Sequence, residues 1–332
     1  MNALVLTDSN GSLALREVPE PTAAPGTALV ALHAAALNRR DYWITQGLYP
    51  GMTAPCTLGS DGAGVVEAVG DGVDEAWLGQ EVTINPALDW GTSTRAQGEG
   101  FRILGMPDDG TFANRIRVPA TQLVAKPGHL SWAEAAALPL AGLTAYRATF
   151  SQGGLQPDET VLITGVGGGV AVAALQFAVK AGARVLVTSS SPDKLERARS
   201  LGATAGFNYR EDGWAEQAGS EHGPIDLVVD GAAGDGFNDL LGIVRPGGRI
   251  VSYGGTAGPP AKFDIRRHFF RQLHLIGSTM GSPEDFAAMV DFVNEHQHRP
   301  VVDTVVPLSE GAAAVASMGS SPQFGKIVLE TA

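Results

Sequence analysis

The sequence has very little cysteine: Cys56 is its only one among 332 residues. An internal disulfide therefore cannot form, and no cluster of thiolates can hold a metal ion. The first residues carry neither a basic region nor an apolar core of signal length. No apolar run is long enough to span a bilayer. We therefore expect a cytoplasmic protein with no membrane partner.

Positive charge is also scarce. The chain has 23 Lys and Arg residues against 35 Asp and Glu residues, a formal net charge of −12. This imbalance argues against a nucleic-acid partner and against an anionic membrane surface. Hydrophobic residues make up 44% of the chain and charged residues 17%, which is typical of a globular protein with a sizeable core.

A glycine-rich segment organises the second half of the chain. Residues 161–163 form a short apolar run typical of a buried parallel strand, and residues 183–188 predict a second strand. A glycine turn and an alanine-rich helix ending near Gly182 lie between them. In such a unit the N–H groups at the helix N-terminus point at a pyrophosphate. The alternative is a glycine turn of another α/β protein.

The residues around this turn favour NADP(H) as the cofactor. The pyrophosphate candidates in the turn are Gly167, Gly168, Gly169 and Val170. An NAD site places a carboxylate where the second strand ends, but here Ser189 and Ser190 follow the strand. Together with Lys194 they suit a 2′-phosphate. The competing interpretation is a helix cap with a solvated lysine.

The pattern of predicted secondary structure changes near residue 124. Upstream, short strand-like runs at 2–7, 13–18, 27–37, 64–69, 81–85 and 111–119 predict a mostly antiparallel barrel. Downstream, strands at 205–209, 226–230, 249–253 and 274–277 alternate with helices at 192–201 and 237–244, which predicts a doubly wound sheet. Ser131 opens a helix that Pro139 interrupts and residues 144–150 resume, Ser282 caps a last long helix, and residues 326–330 form a final strand.

These motifs, in this order, resemble the medium-chain dehydrogenase/reductase superfamily over nearly the full length. The residues that carry the resemblance are 38–49, 58–67, 137–145, the glycine turn, 207–211 and 325–329. Within the superfamily the chain looks most like the zinc-free, NADPH-dependent quinone oxidoreductases. The resemblance implies an α/β protein with a GroES-like, mostly-β barrel domain at 1–123, to which 281–332 returns, and a Rossmann domain at 124–280. It also implies a homodimer that pairs through residues 274–280.

The same resemblance implies that both zinc sites of the superfamily are lost. Zinc-dependent alcohol dehydrogenases hold the catalytic metal with a Cys and a His–Glu pair. Asn38 and Ser60 stand at the Cys and His positions here, so only Asp61 remains, and an amide and a hydroxyl are poor zinc ligands. The loop at 88–110, in place of the structural-zinc lobe, contains no cysteine. We expect no metal.

Without a Lewis acid, reduction of an electron-poor acceptor is easier than oxidation of an alcohol. We expect hydride transfer from NADPH to a small-molecule quinone or α,β-unsaturated carbonyl, with the protein positioning both reactants. Two alternatives stay open: reduction of another activated double bond, in a 2-alkenal or an enoyl thioester, and NADPH binding without turnover. Basic residues for a thioester's carrier phosphates could come from Arg39, Arg40, Arg266, Arg267 and Arg271.

Family matches suggest individual site residues. On the substrate side, Asn38 and Tyr49 are catalytic candidates, and Trp43, Ser60 and Asp61 are pocket candidates. The alternative for Asn38 and Ser60 is that they only form turns. The alternative for Tyr49 and Trp43 is that they only pack in the core. On the cofactor side, the matches are Thr144 near the nicotinamide, Tyr209 near the 2′-phosphate, Gly254 near the ribose, and Ser278 and Lys326 as further contacts. Asp41 is expected to hold local backbone or Arg39, and Cys56 to serve packing.

Overall fold

The computed structural model describes residues 1–8 and 11–331. The strands are β1 (Asn2–Leu6), β2 (Leu13–Glu17), β3 (Thr27–Ala36), β4 (Cys56–Thr57), β5 (Asp61–Val69), β6 (Glu81–Ile84), β7 (Ala87–Leu88), β8 (Arg102–Ile103), β9 (Arg115–Pro119), β10 (Leu123–Ala125), β11 (Thr160–Ile163), β12 (Arg184–Thr188), β13 (Ala205–Phe207), β14 (Ile225–Asp230), β15 (Val244–Ser252), β16 (His274–Gly277), β17 (Val302–Pro307) and β18 (Lys326–Glu330). The helices are α1 (Arg39–Thr45), α2 (Trp132–Ala137), α3 (Pro139–Tyr146), α4 (Gly169–Lys180), α5 (Pro192–Ser200), α6 (Trp214–His222), α7 (Phe237–Ile243), α8 (Ile265–Phe270), α9 (Pro283–Glu295) and α10 (Gly311–Ser317).

The chain divides into two compact units. The first comprises Met1–Ala141 together with the C-terminal segment from Gly281, and the second comprises Gly142–Met280. The first unit extends past residue 123, the boundary predicted from the sequence. The reason is α2, which the Ser131 capping box opens and which packs against β3 and β5 of the first unit.

The main sheet of the first unit has the strand order β10-β6-β5-β3-β18-β17, and β9 also pairs with β3. Its pairs are antiparallel except for β17 with β18. Along β3 the side chains alternate between buried and half-buried, with Ala28, Val30 and Leu32 in the core, as the two-residue period of a strand requires. β18 pairs with β3, so the chain's last strand places Lys326 in this unit.

The second unit contains a parallel sheet with the order β13-β12-β11-β14-β15-β16. Its core includes Leu162, Leu186, Val228 and Ile250 from neighbouring strands. The strand order reverses between β11 and β14, and ligands of such sheets bind at this point, beyond the carboxyl ends of the strands. The predicted α/β fold class, with a mostly antiparallel and a doubly wound part, is confirmed.

Several predicted elements differ in detail from the observed ones. The helix that was expected to resume at residue 144 already begins at Pro139 and passes into a π-helical turn at Arg147–Ser151. The strand predicted at 249–253 is the end of the longer β15. The helices α1, α6, α8 and α10 and the strands β4, β7, β8, β10 and β17 were not predicted. Within the described residues, none of the helices is long and apolar enough to cross a membrane.

Candidate active site and dinucleotide site

The glycine turn between β11 and α4 is shaped by its glycines. Gly165 has φ of 64° and Gly167 has φ of 134°, a region that L-residues with a side chain rarely adopt. Gly168 is the N-cap of α4, and because it has no side chain it cannot cover the N–H groups of the first turn. These groups, which include those of Gly169 and Val170, fit a pyrophosphate.

Hydroxyl groups and an ammonium follow the neighbouring strand β12. Ser189 is buried and Ser190 half-buried, while Ser191 caps α5 by accepting the N–H of Lys194 at 3.4 Å. The Lys194 side chain lies over the glycine turn, since a Cβ added to Gly167 would stand 2.7 Å from its Cδ and 3.2 Å from its Nζ. The predicted set of Ser189, Ser190 and Lys194 therefore lies at one edge of the sheet, next to the turn.

Three more of the predicted cofactor residues lie at the same edge of the second unit. Tyr209, two residues beyond β13, is 46% exposed. Gly254 follows β15 and passes close to Gly231, because a Cβ added to it would stand 3.1 Å from the Gly231 carbonyl oxygen. The buried Ser278 Oγ, just beyond β16, has no hydrogen-bond partner among the described residues. An orphaned hydroxyl at this edge fits a bound nucleotide.

Two further polar sites of the second unit are Thr144 and the point where the strand order reverses. Thr144 is buried and its hydroxyl contacts the sulfur of Met280 at 3.9 Å. At the reversal, the Thr164 hydroxyl donates to Asp230 Oδ1 at 2.6 Å, and Asp230 also accepts the N–H groups of Ala232 and Ala233. This buried carboxylate joins the ends of β11 and β14. Its role was not predicted from the sequence, although an Asp that ends a buried strand was the available signal.

In the first unit, Asn38 belongs to a buried cluster with Asp61 and Lys326. The Asn38 amide donates from Nδ2 to Asp61 Oδ2 at 2.9 Å and accepts at Oδ1 from Lys326 Nζ at 2.6 Å. Lys326 Nζ also donates to Asp61 Oδ2 at 2.9 Å, and Asp61 Oδ1 accepts the N–H of Leu140 at 2.8 Å. Lys326 was assigned to the cofactor, but the structure places its ammonium in this cluster of the first unit.

A second hydrogen-bonded set joins Arg40, Tyr49 and Ser60. The Arg40 guanidinium donates to the Tyr49 oxygen at 3.2 Å and to the Ser60 Oγ at 2.7 Å. The Arg40 Cζ lies 4.8 Å from the centre of the Tyr49 ring. Tyr49 is half-buried, whereas Arg40 and Ser60 are buried. Trp43 contacts Tyr42, with ring centres 5.3 Å apart.

The role of Arg40 was missed because helix α1 was not predicted. Once α1 is known, Arg40 and the buried Ile44 are four residues apart on the same helix face. An arginine on that face must find hydrogen-bond acceptors inside the protein. The spacing to Ile44 was therefore the signal that could have found it.

The donor set of the first unit does not fit a zinc ion. Both carboxylate oxygens of Asp61 accept hydrogen bonds, and the Lys326 ammonium beside them would repel a dication. The Asn38 carbonyl oxygen and the Ser60 Oγ accept from Lys326 and Arg40. Across residues 1–8 and 11–331, no three His, Cys, Asp or Glu side chains converge as metal ligands would.

Asp41 and Cys56 are both buried ionisable groups near these sets. Asp41 Oδ2 accepts the Asn38 N–H at 2.7 Å, which agrees with its expected role of holding backbone. Burial raises the pKa of the Asp41 carboxyl to about 6, against the opposing effect of Arg40. Burial also raises the pKa of the Cys56 thiol to about 12, and the thiol contacts backbone carbonyl oxygens, so it is protonated at neutral pH.

Comparison with known proteins gives full-length matches. The family described as "Alcohol dehydrogenase GroES-like domain" matches residues 24–128, and "Zinc-binding dehydrogenase" matches residues 169–295. The chain is 36% identical to the zinc-type alcohol dehydrogenase-like protein YogA of Leptosphaeria maculans, over 96% of this chain and 94% of the relative. It is 30% identical to the acryloyl-coenzyme A reductase of Metallosphaera sedula, with 100% of both chains covered. A solved structure of an NAD-dependent alcohol dehydrogenase superposes with a TM-score of 0.94 at 37% identity, covering 100% of both chains.

Proposed function

Because the chain belongs to the medium-chain dehydrogenase/reductase superfamily, we propose that it is an NADPH-dependent reductase of double bonds conjugated to a carbonyl group, and that it works without a metal ion. The observation that carries the proposal is the hydrogen-bonded set of Arg40, Tyr49 and Ser60. This set supplies a hydroxyl donor for a carbonyl oxygen in a part of the chain whose donor set does not suit zinc.

The charge pattern at the dinucleotide site supports NADP(H). Lys194 and the hydroxyls of Ser189 and Ser190 suit a 2′-phosphate, and no carboxylate stands between Thr188 and Asp193 to repel it. The similar alcohol dehydrogenase of known structure is described as NAD-dependent, so the preference for NADP(H) rests on these residues of the chain itself. When bound, NADPH supplies a hydride to an electron-poor carbon.

Tyr49 is the residue to which we assign direct contact with the acceptor. Its oxygen accepts from Arg40, which leaves its own hydrogen for a carbonyl oxygen. As a conjugated double bond is reduced at its β-carbon, negative charge develops on that oxygen, and a preorganised donor stabilises it. The Asn38 amide is already engaged at both ends, by Asp61 and Lys326. We therefore revise its role from substrate contact to positioning.

The acceptor class that we favour is an α,β-unsaturated carbonyl, including an enoyl thioester. The relative from Metallosphaera sedula is named for reduction of such a thioester, and this is the observation that favours an unsaturated carbonyl over a quinone.

Four of the five arginines considered for carrier phosphates already donate hydrogen bonds within the protein: Arg39 to Met318 and Ser321, Arg40 to Tyr49 and Ser60, Arg267 to Asn238, and Arg271 to Val244. Arg266 is exposed.

Steady-state oxidation of NADPH by chelator-treated protein tests the proposal, with crotonyl-CoA, a 2-alkenal and 1,4-benzoquinone as acceptors. We expect turnover with the conjugated carbonyls. The Tyr49→Phe variant should lose about 100-fold in kcat, the effect of removing one oxyanion donor. Tyr42→Phe, a matched change on the neighbouring helix α1, should keep kcat. Turnover only with alcohols and added zinc, or with no acceptor, would overturn the proposal.

A further inference from the structure

Arg40 is a buried cation whose hydrogen bonds all go to neutral oxygens. Besides the Tyr49 and Ser60 hydroxyls, it donates to the carbonyl oxygen of Leu104 at 2.9 Å and to that of Met106 at 3.3 Å. Within residues 1–8 and 11–331 it forms no salt bridge, and its one charge partner that affects a carboxyl pKa is Asp41, whose pKa it lowers without a direct bond. A buried charge is costly unless hydrogen bonds offset the loss of water, and two of the four groups that do so for Arg40 are side-chain hydroxyls.

The hydrogen bond from Arg40 fixes the direction of the Tyr49 hydroxyl. A phenol oxygen that accepts an N–H must point its own hydrogen elsewhere. In the described part of the chain, no side chain or backbone atom accepts that hydrogen. Because Tyr49 is half-buried and Arg40 is buried, the phenol is the more accessible partner of the pair.

We propose that Arg40 is a positioning residue for the reduction, acting through the Tyr49 hydroxyl; this inference rests on the proposed function. When bound, NADPH would supply a hydride to the β-carbon of the acceptor and become NADP⁺, so that the electron pair of the double bond moves towards the carbonyl oxygen and an enolate of the acceptor forms. The Tyr49 O–H donates to the enolate oxygen and keeps its proton, while the α-carbon takes a proton from solvent. The positive charge behind the phenol strengthens this donation, as in other charge-assisted networks.

Ser60 and two carbonyl groups hold the guanidinium in place. Ser60 Oγ and the Leu104 carbonyl accept from Nη1, the Met106 carbonyl accepts from Nη2, and the Tyr49 oxygen accepts from Nε. Only the planar fork of an arginine can reach acceptors in these directions at once. A lysine would preserve the charge but not the full set of bonds.

A double-mutant cycle tests the inference. We expect Arg40→Gln to lower kcat by about 10-fold or more with a smaller change in KM for crotonyl-CoA, and Arg40→Lys to restore part of kcat. In the Tyr49→Phe background, Arg40→Gln should lower kcat no further, because its effect passes through the Tyr49 hydroxyl. The control is Arg117→Gln, at an exposed arginine of β9 in the same unit, and it should keep kcat.

Thermal unfolding of every variant separates loss of folding from loss of catalysis. If Arg40→Gln does not fold, the Arg40→Lys variant in both backgrounds completes the cycle. Equal losses of kcat with and without the Tyr49 hydroxyl, or an effect on KM alone, would overturn the role of Arg40 and leave the proposed function standing. A wild-type protein inactive with every conjugated acceptor would instead overturn the proposed function, and this inference with it.

Discussion

Asp41 is a fully buried carboxyl group whose Oδ2 accepts the Asn38 N–H and whose Oδ1 has no hydrogen-bond partner among the described residues. Burial raises its pKa from 3.8 to about 6 in the folded protein. The protonated form is therefore favoured by folding. Its contribution to stability is complete below the unfolded pKa and is lost as the pH rises through about 6.

We predict that Asp41→Asn removes this pH dependence. Between pH 4 and pH 7, the wild-type free energy of unfolding should fall, relative to that of the variant, by up to about 3 kcal/mol, the equivalent of roughly two pKa units. Urea denaturation at both pH values measures the difference. Asp291→Asn, at an exposed position of helix α9, is the control. An equal pH dependence in wild type and Asp41→Asn would contradict the prediction.

For individual residues, the sequence predicted which residues belong to the site better than it predicted their contacts. Asn38, Tyr49, Ser60 and Asp61 were singled out, and the structure places them in two hydrogen-bonded sets of the first unit. Which atoms pair could not be foreseen, because Lys326 reaches Asn38 across 288 residues of sequence. Such a contact depends on the pairing of β18 with β3, and periodicity in the sequence does not specify it.

Among the elements, the end of β12 and the start of α5 set the cofactor preference. Lys194 stands in the first turn of α5, with its ammonium beside Gly167 in the glycine turn. We predict that Lys194→Ala raises the KM for NADPH by about 10- to 100-fold, as expected for the loss of a charge-assisted bond, while the KM for NADH changes little. Steady-state kinetics with both cofactors measures this.

Lys180→Ala is the matched control for that prediction. Lys180 is an exposed lysine at the opposite end of α4, so its loss should leave both KM values unchanged. An equal rise in the KM for NADH and NADPH after Lys194→Ala would mean that Lys194 does not contact the 2′-phosphate.

The elements that were predicted accurately have clear sequence signals where they begin or end. β16 at His274–Gly277 and β18 at Lys326–Glu330 were placed to the residue, and Ser282 caps α9 with a capping box. Helix α1 was missed because it has seven residues, several of them aromatic or β-branched, and short helices depend on tertiary packing. Pro139 was taken as a helix breaker, but proline also suits the first turn of a helix, where it stands in α3.

For the whole molecule, we propose that two copies associate through β16 and α8. β16 is an edge strand, and Phe269, Phe270 and Leu275 are exposed large hydrophobic residues on these elements. Unpaired strand edges and exposed apolar groups favour association. Sedimentation velocity should show a dimer that Phe270→Asp shifts to the monomer. Leu48→Asp, a change at another exposed leucine, should leave the dimer intact, and a monomeric wild type would contradict the proposal.

The division into two units could be predicted only in outline. The change of pattern near residue 124 marks the point where strands give way to helices. The first unit nevertheless extends to Ala141, because α2 packs on β3 and β5. A helix that belongs to a β-rich unit carries no local signal of that membership. The boundary therefore depends on packing that the sequence pattern does not display.

The most direct test of the central claim follows the hydride in chelator-treated protein. The protein is mixed with crotonyl-CoA and NADPH deuterated at C4, and the product is analysed by mass spectrometry and NMR. We predict butyryl-CoA with deuterium at its β-carbon, formed at the same rate with and without chelator. Loss of the reaction on chelation with recovery by zinc, or absence of deuterium from the β-carbon, would contradict the metal-independent reduction of a conjugated double bond.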